Sequence, residues 1–215
     1  PYSALVTPQY QVIIDYLRGV AGQPDPNIAG MGLTSFANSL KIENCINRPG
    51  VIASLTDPEY GEISKPYTTH SIPGTIPAAY YDIGARGLSY SDGDYWNDGD
   101  GGYNDGWVFR NDGVDVEGSD DDPDIPYTVG WTEAGEWLGY TIEDVLPGTY
   151  DVSFSVSAPN AGGIFYAQLS GQNLGVIDVP STGGWYSWED IPSQRIEIAE
   201  GEKFLKIQIV QAGFN

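Results

Sequence analysis

The chain has 215 residues, 40% of them hydrophobic, and a formal net charge of −21, enough apolar content for a packed core but not the basic face that nucleic acid or an anionic membrane requires. A single cysteine, Cys45, excludes an internal disulfide, and a single histidine, His70, excludes a multi-histidine metal site and leaves little scope for histidine-based catalysis. No run of about 18 apolar residues marks a membrane span, and 28 glycines, 15 prolines and 15 tyrosines favour turns and strands over long helices.

Residues 7–20, TPQYQVIIDYLRGV, predict a helix. Thr7 is a good N-cap and Pro8 suits the first helical position. Tyr10, Ile13, Ile14 and Leu17 share one face, and Gly19 or Gly22 can end the helix. QPDPN (23–27) reads as a linker or turn. TSFANSLKIENC (34–45) and GVIASL (50–55) read as strands with partial alternation. One helix and two strands bury little surface. Residues 1–72 are therefore expected to be the tail of a preceding domain, or a segment packed on the next one. The first residue is Pro1 rather than methionine, which reads as a processed or excised piece of a longer protein.

HSIPGT (70–75) marks a boundary, and the helical periodicity ends there. In TYDVSFSVSA (149–158), Tyr150, Val152, Phe154 and Val156 alternate with Asp151, Ser153, Ser155 and Ser157. IFYAQLSG, NLGVIDV, QRIEIAEG and KFLKIQIVQA are further short strands, separated by Gly, Pro or Asn. Strands at this spacing with no intervening helix predict an all-β fold, a β-sandwich over residues 73–215.

Between Asp82 and Asp144 stand seventeen acidic and two basic residues. DGDGGYND (98–105) invites an EF-hand reading and fails it: the loop glycine is misplaced and Phe109 stands where the bidentate glutamate belongs. Asp98, Asp100 and Asp105 remain candidates for a looser calcium site, beside the plainer reading of a solvated acidic loop. Nucleophilic catalysis lacks a G-x-S-x-G motif and would have to recruit the only histidine. Paired carboxylates keep glycoside hydrolysis formally open.

Aromatic residues in polar loops are the stronger signal. Trp96, Tyr103, Trp107, Trp185 and Tyr186 lie in stretches rich in Gly, Asn, Asp and Ser, and Phe109 follows one. A flat aromatic ring covers the C–H face of a sugar while Asn, Asp and Glu take its hydroxyls. Trp188 and Trp137 read instead as core residues.

IPGTIPAAYYD (72–82), GLSYSD (87–92), FRNDGVDVE (109–117), VGWTEAGEWLGYTI (129–142), PGTYDVSFSVSA (147–158), STGGWYSWEDI (181–191) and QAGFN (211–215) occur in the order seen in family 6 carbohydrate-binding modules. Residues 72–215 thus resemble that family, and FRNDGVDVE most resembles modules attached to marine agarases and laminarinases. The resemblance implies a β-sandwich jelly roll with a sugar site in the loops at one edge. It implies that Trp185 of the GGW motif and Asn215 of GFN contact the sugar, with a second aromatic from Tyr103, Trp107 or Phe109. Some members carry another site on a sheet face. The family usually holds a structural calcium through glutamates near the first strand. This chain has Pro77 and Ala79 there, so sugar binding is expected to need no cofactor, with a structural calcium left open elsewhere. Family members continue for several residues beyond the position of Asn215, so the chain reads as a piece that stops short.

The expectation is a non-catalytic module, residues 73–215, preceded by a helix-containing segment, 1–72. It would hold a covalently linked, secreted polysaccharide hydrolase on an agar- or β-glucan-type chain, with no nucleic-acid or membrane partner. Two alternatives stand beside it: a glycoside hydrolase fragment with its own catalytic carboxylates, and a structural or adhesive β-sandwich with no sugar site.

Overall fold

The computed structural model describes residues 7–41, 54–93, 109–110, 112–118 and 125–215. The chain divides into two compact units, between Asn47 and Arg48.

In the first unit, helix α1 spans Pro8–Leu17, as its capping signals predict. The Thr7 side chain accepts from the backbone N–H of Tyr10, and Gly19 turns the chain at φ 71°. A second helix, α2, spans Pro26–Ser39. Its start obeys the same rules: Asp25 accepts from the N–H groups of Asn27 and Ile28, and Pro26 follows the cap. The QPDPN stretch is thus a helix entrance as well as a turn. The strand expected over 34–45 is helical as far as Ser39, and its remainder from residue 42 lies outside the described residues. Of the strand expected at 50–55, residues 54 and 55 are described, and both are helical. Local capping outweighed a weak alternation. Gly32 fits where α2 meets α1, because a Cβ there would lie 2.5 Å from the carbonyl oxygen of Gln9. Tyr10 and Phe36 stack nearby with ring centroids 4.4 Å apart.

The second unit is a β-sandwich. Its strands are β1 (Ser71–Ile72), β2 (Tyr90–Ser91), β3 (Val116–Gly118), β4 (Tyr127–Val129), β5 (Trp137–Ile142), β6 (Asp144–Val145), β7 (Gly148–Ala158), β8 (Gly163–Leu169), β9 (Gln172–Val179), β10 (Gly184–Ile198) and β11 (Lys203–Gln211). One sheet has the order β2-β5-β11-β8-β9, with every neighbouring pair antiparallel. β7 and β10 form a long antiparallel pair. β3 pairs with β4 antiparallel, and β1 with β6 parallel.

The alternation read in TYDVSFSVSA holds for most of the strand: Tyr150, Val152, Phe154 and Val156 turn inward, and Asp151, Ser153 and Ser155 are exposed, while Ser157, the last of the outward set, is buried with its hydroxyl bonded to the Trp185 carbonyl. With Ile196 and Ile198 of β10 they meet Phe165, Ala167, Leu169, Leu174, Ile177, Val179 and Ile209 from the five-stranded sheet. A second cluster gathers Ala79, Tyr81, Tyr90, Val114, Val116, Val129, Leu138 and Tyr140.

That second cluster is tied by polar groups. Asp82 is fully buried, and its carboxylate accepts from the Ser64 hydroxyl (2.9 Å), the Thr141 N–H (2.8 Å) and the Thr141 hydroxyl (2.6 Å). Arg110 is 6% exposed. It donates to the carbonyls of Tyr81 and Asp82, pairs with Asp112 at 3.1 Å, and lies 3.5 Å from the Tyr81 ring centroid. Burial pushes the Tyr81 phenol, which donates to Asp112, well above its ordinary range.

The unit boundary differs from the one expected at residue 72. Lys65 and Ile83 exchange backbone hydrogen bonds of 2.9 and 2.7 Å, Ser64 bonds Asp82, and β1 pairs with β6. Residues 64–72 therefore belong to the sandwich. The IPG boundary signal marks a turn within it: Ile72–Pro73 is a cis bond.

Candidate functional site

The STGGWYSW stretch enters β10 through Gly183, at φ 97°, a left-handed conformation that favours glycine. Pairing with β7 then slips. Gly184 faces Ala158 and Glu189 faces Val156, so five steps along β10 match two along β7. The three extra residues bulge out of the ladder, and a bulge frees side chains from strict alternation. Trp185 and Tyr186 are accordingly exposed in succession, at 46% and 53%.

The bulge is anchored at its backbone. The Trp185 carbonyl accepts from the Ser157 hydroxyl and, at 3.3 Å, from Nδ2 of Asn215. Asn215 is held in turn by reciprocal backbone bonds with Ser157, of 3.0 and 2.9 Å. Two of the residues chosen from sequence, Trp185 and Asn215, are thereby brought together.

A second exposed tryptophan stands beside Asn215. A Cβ at Gly130 would lie 2.8 Å from Oδ1 of Asn215, so the asparagine amide lies directly against this glycine and a larger residue would have to push it aside. The next residue, Trp131, is 42% exposed at φ 46°, a conformation that a bulky side chain rarely adopts. Thr132 then donates to the Phe214 carbonyl at 3.2 Å, tying this turn to the GFN segment a second time. Sequence reading placed VGWTEAG among the middle strands and passed over Trp131. The glycine immediately before an aromatic was the available signal.

Glu117 was also passed over as a site residue, although it closes the quoted FRNDGVDVE motif. It lies on β3, opposite Thr128 of β4, and the same pairing extends to a 3.0 Å bond from the Gly130 N–H to the Asp115 carbonyl. Its Oε2 accepts from the Tyr186 phenol at 2.9 Å. Burial raises the Glu117 carboxyl above its ordinary pKa, and the Tyr186 bond draws it partly back.

Phe109 is placed elsewhere. Its ring stacks on Tyr127 at 4.1 Å and Tyr80 at 5.6 Å, with Tyr67 tilted against it at 5.5 Å, at the margin of the second cluster. There it is half-buried and packs in an aromatic stack. Tyr103 and Trp107 lie outside the described residues, as do Asp98, Asp100 and Asp105. Trp188 is half-buried and not a core residue, since it leaves the ladder with the rest of the bulge. Trp137 is half-buried as well: it faces away from the core on β5, with the Lys206 ammonium 4.2 Å from its ring centroid.

The residues near the first strand do not fit a calcium ion. Pro77 starts the short 3-10 turn of Ala78–Tyr80, and Ala79 is fully buried and has no ligand atom. The nearby carboxylate, Asp82, is engaged by Ser64 and Thr141. Hard cations need six to eight oxygen ligands, and of these three side chains only the Asp82 carboxylate could supply one. Among the described residues no cluster of three or more His, Cys, Asp or Glu side chains suits a metal, and no helix is long and apolar enough to cross a membrane.

Residues 108–215 match the family model "Carbohydrate binding module (family 6)". An 84-residue stretch is 34% identical to the clotting factor G alpha subunit of Tachypleus tridentatus; it represents 38% of this chain and 12% of that subunit's length. Similar solved structures include the C-terminal family 6 module of a marine laminarinase from Zobellia galactanivorans. It is 28% identical, with 47% of this chain and 81% of that chain covered and a TM-score of 0.41. Another is a carbohydrate-binding module of Cellvibrio mixtus lichenase 5A in complex with cellotriose, 27% identical, with coverages of 47% and 80% and a TM-score of 0.40.

Proposed function

The chain belongs to the family 6 carbohydrate-binding modules, and we propose that it grips a neutral polysaccharide between Trp185 and Trp131, with Asn215 and Glu117 taking sugar hydroxyls. One observation carries this assignment: exposed Trp185 and exposed Trp131 sit in two turns that one asparagine adjoins, through its bond to the Trp185 carbonyl and its Oδ1 lying against Gly130. Aromatic faces cover the C–H surface of a sugar ring. An amide and a carboxylate beside them offer the donors and acceptors that hydroxyls need. The net charge of −21 disfavours anionic glycans at long range.

The resemblance of FRNDGVDVE to modules on agarases and laminarinases supports an agar- or β-1,3-glucan-type ligand. The same resemblance supports a role in holding a linked, secreted hydrolase on its substrate. The first-strand corner supports binding without calcium, since it lacks the ligands.

The test is an affinity gel containing agarose, laminarin or xylan. The full chain should be retarded by agarose or laminarin, and Trp185→Ala and Trp131→Ala should each run as if no polysaccharide were present. Retention by both variants would overturn the assignment. Release of reducing ends by the wild-type chain would point instead to a hydrolase with its own carboxylates.

A further inference from the structure

The bond between Tyr186 and Glu117 joins the two edges of the candidate site. Tyr186 belongs to the β10 bulge and immediately follows Trp185; Glu117 belongs to β3. The Tyr186 side chain is 53% exposed, and its phenol makes a 2.9 Å bond across 69 residues of sequence. Only one carboxylate oxygen, Oε2, is used. The other, Oε1, has no partner among the described residues, and the half-buried carboxyl has lost part of its water. A partly desolvated acceptor with an open lone pair seeks a donor, and a sugar hydroxyl is one.

We propose that Tyr186 is a positioning residue: its phenol holds the Glu117 carboxylate in one orientation, with Oε1 directed to accept a hydroxyl of the sugar stacked on Trp185. This rests on the sugar-site reading above. A carboxylate fixed by a neutral donor keeps its charge for the ligand, whereas an ammonium or guanidinium in place of the phenol would neutralise it. The bond also loads a prediction onto pH. The carboxylate form accepts the hydroxyl, so binding falls as pH drops through the folded pKa of Glu117. Burial raises that pKa and the Tyr186 donor lowers it. Removing the donor moves the loss of binding to higher pH. Other titratable groups on the elements packed here are Asp115 before β3, Tyr127 on β4, and Glu189, Asp190, Arg195 and Glu197 on β10; the Glu117 shift arises from burial and from Tyr186.

The experiment is calorimetric titration of the full chain with agarohexaose, laminarihexaose and cellohexaose, across the acid range, for wild type, Trp185→Ala, Tyr186→Phe, Glu117→Ala, Glu117→Gln and the Tyr186→Phe/Glu117→Ala pair. Tyr186→Phe should weaken binding by about tenfold or more, as expected for loss of one bond to a charged group, and should begin to lose binding at a higher pH than wild type. Glu117→Gln should bind with a flatter acid profile. In the Glu117→Ala background Tyr186→Phe should change nothing further. A Tyr186→Phe protein with wild-type affinity and an unmoved pH profile overturns the positioning role, as does additivity of the two substitutions. Loss of binding in Trp185→Ala with Tyr186→Phe unaffected would leave the sugar site standing and remove only this inference. No binding of any hexaose by wild type would remove both.

Discussion

The two units of this chain are built on opposite economies. In the helical unit α1 buries no residue and α2 buries only Gly32, while Leu17, Val20, Met31, Leu33 and Leu40 remain largely exposed. The sandwich has two apolar clusters, and its second one is closed by a buried carboxylate and a buried guanidinium with their partners in place. Capping and propensity suffice to shape a helix, but tertiary burial is what stabilises it. Strands have no local hydrogen bonds, so the sandwich had to solve its packing to exist at all.

The largest expected effect tests that contrast directly. A peptide of residues 1–47 should show partial helicity and no cooperative melt, since a lone core of this size is marginal below about 70–80 residues. A sharp thermal transition with dispersed amide signals would erase the distinction between the units. Within the sandwich, Arg110→Met should cost about 3–5 kcal/mol in denaturant unfolding, because Asp112 and the carbonyls of Tyr81 and Asp82 lose their buried partner. A change below about 1 kcal/mol, the scale of an exposed ion pair, would mean that water replaces the guanidinium and that the second cluster is looser than the first.

The tryptophans of the bulge offer a finer test. Trp188→Ala should cost about 1–3 kcal/mol, less than full burial would give, since the side chain is half-covered. Trp185→Ala should leave the melting temperature almost unchanged while removing sugar binding. An aromatic platform is worth about 1–3 kcal/mol, by analogy with base stacking. Equal destabilisation by both would show that Trp185 belongs to the core. Smallest of all is the bidentate pair of Arg195 with Asp151, both largely exposed on the outer face of β7 and β10. Arg195→Ala should leave the melting curve where it is, because solvent and salt screen such pairs. A measurable loss would show that this outer face contributes to the sandwich.

The sandwich and its strands were legible because hydrophobic alternation is written residue by residue: the inward set of TYDVSFSVSA follows from period two alone. The helix at Pro8–Leu17 was legible for the same local reason, in Thr7 and Pro8. Asp25 and Pro26 carried an equal signal for α2, but the two prolines of QPDPN read first as a linker or turn. Trp185 stood out as an aromatic among glycines and polar residues, while its display and the choice of Asn215 came from the resemblance of GGW and GFN to the family's motifs. Trp131 and Glu117 were not found, because each depends on a distant residue. Trp131 follows a glycine that lies against Asn215, 85 positions away in sequence. Glu117 is engaged only because the β10 bulge turns Tyr186 toward β3. The half-burial of Trp188 and Trp137 has the same origin, since a register slip and a choice of sheet face are settled between strands. The sequence by itself determined periodicity, caps and turns, which are properties of neighbours along the chain. The tertiary structure decided which side chains share a surface, because register and long-range closure depend on pairings that no local pattern encodes.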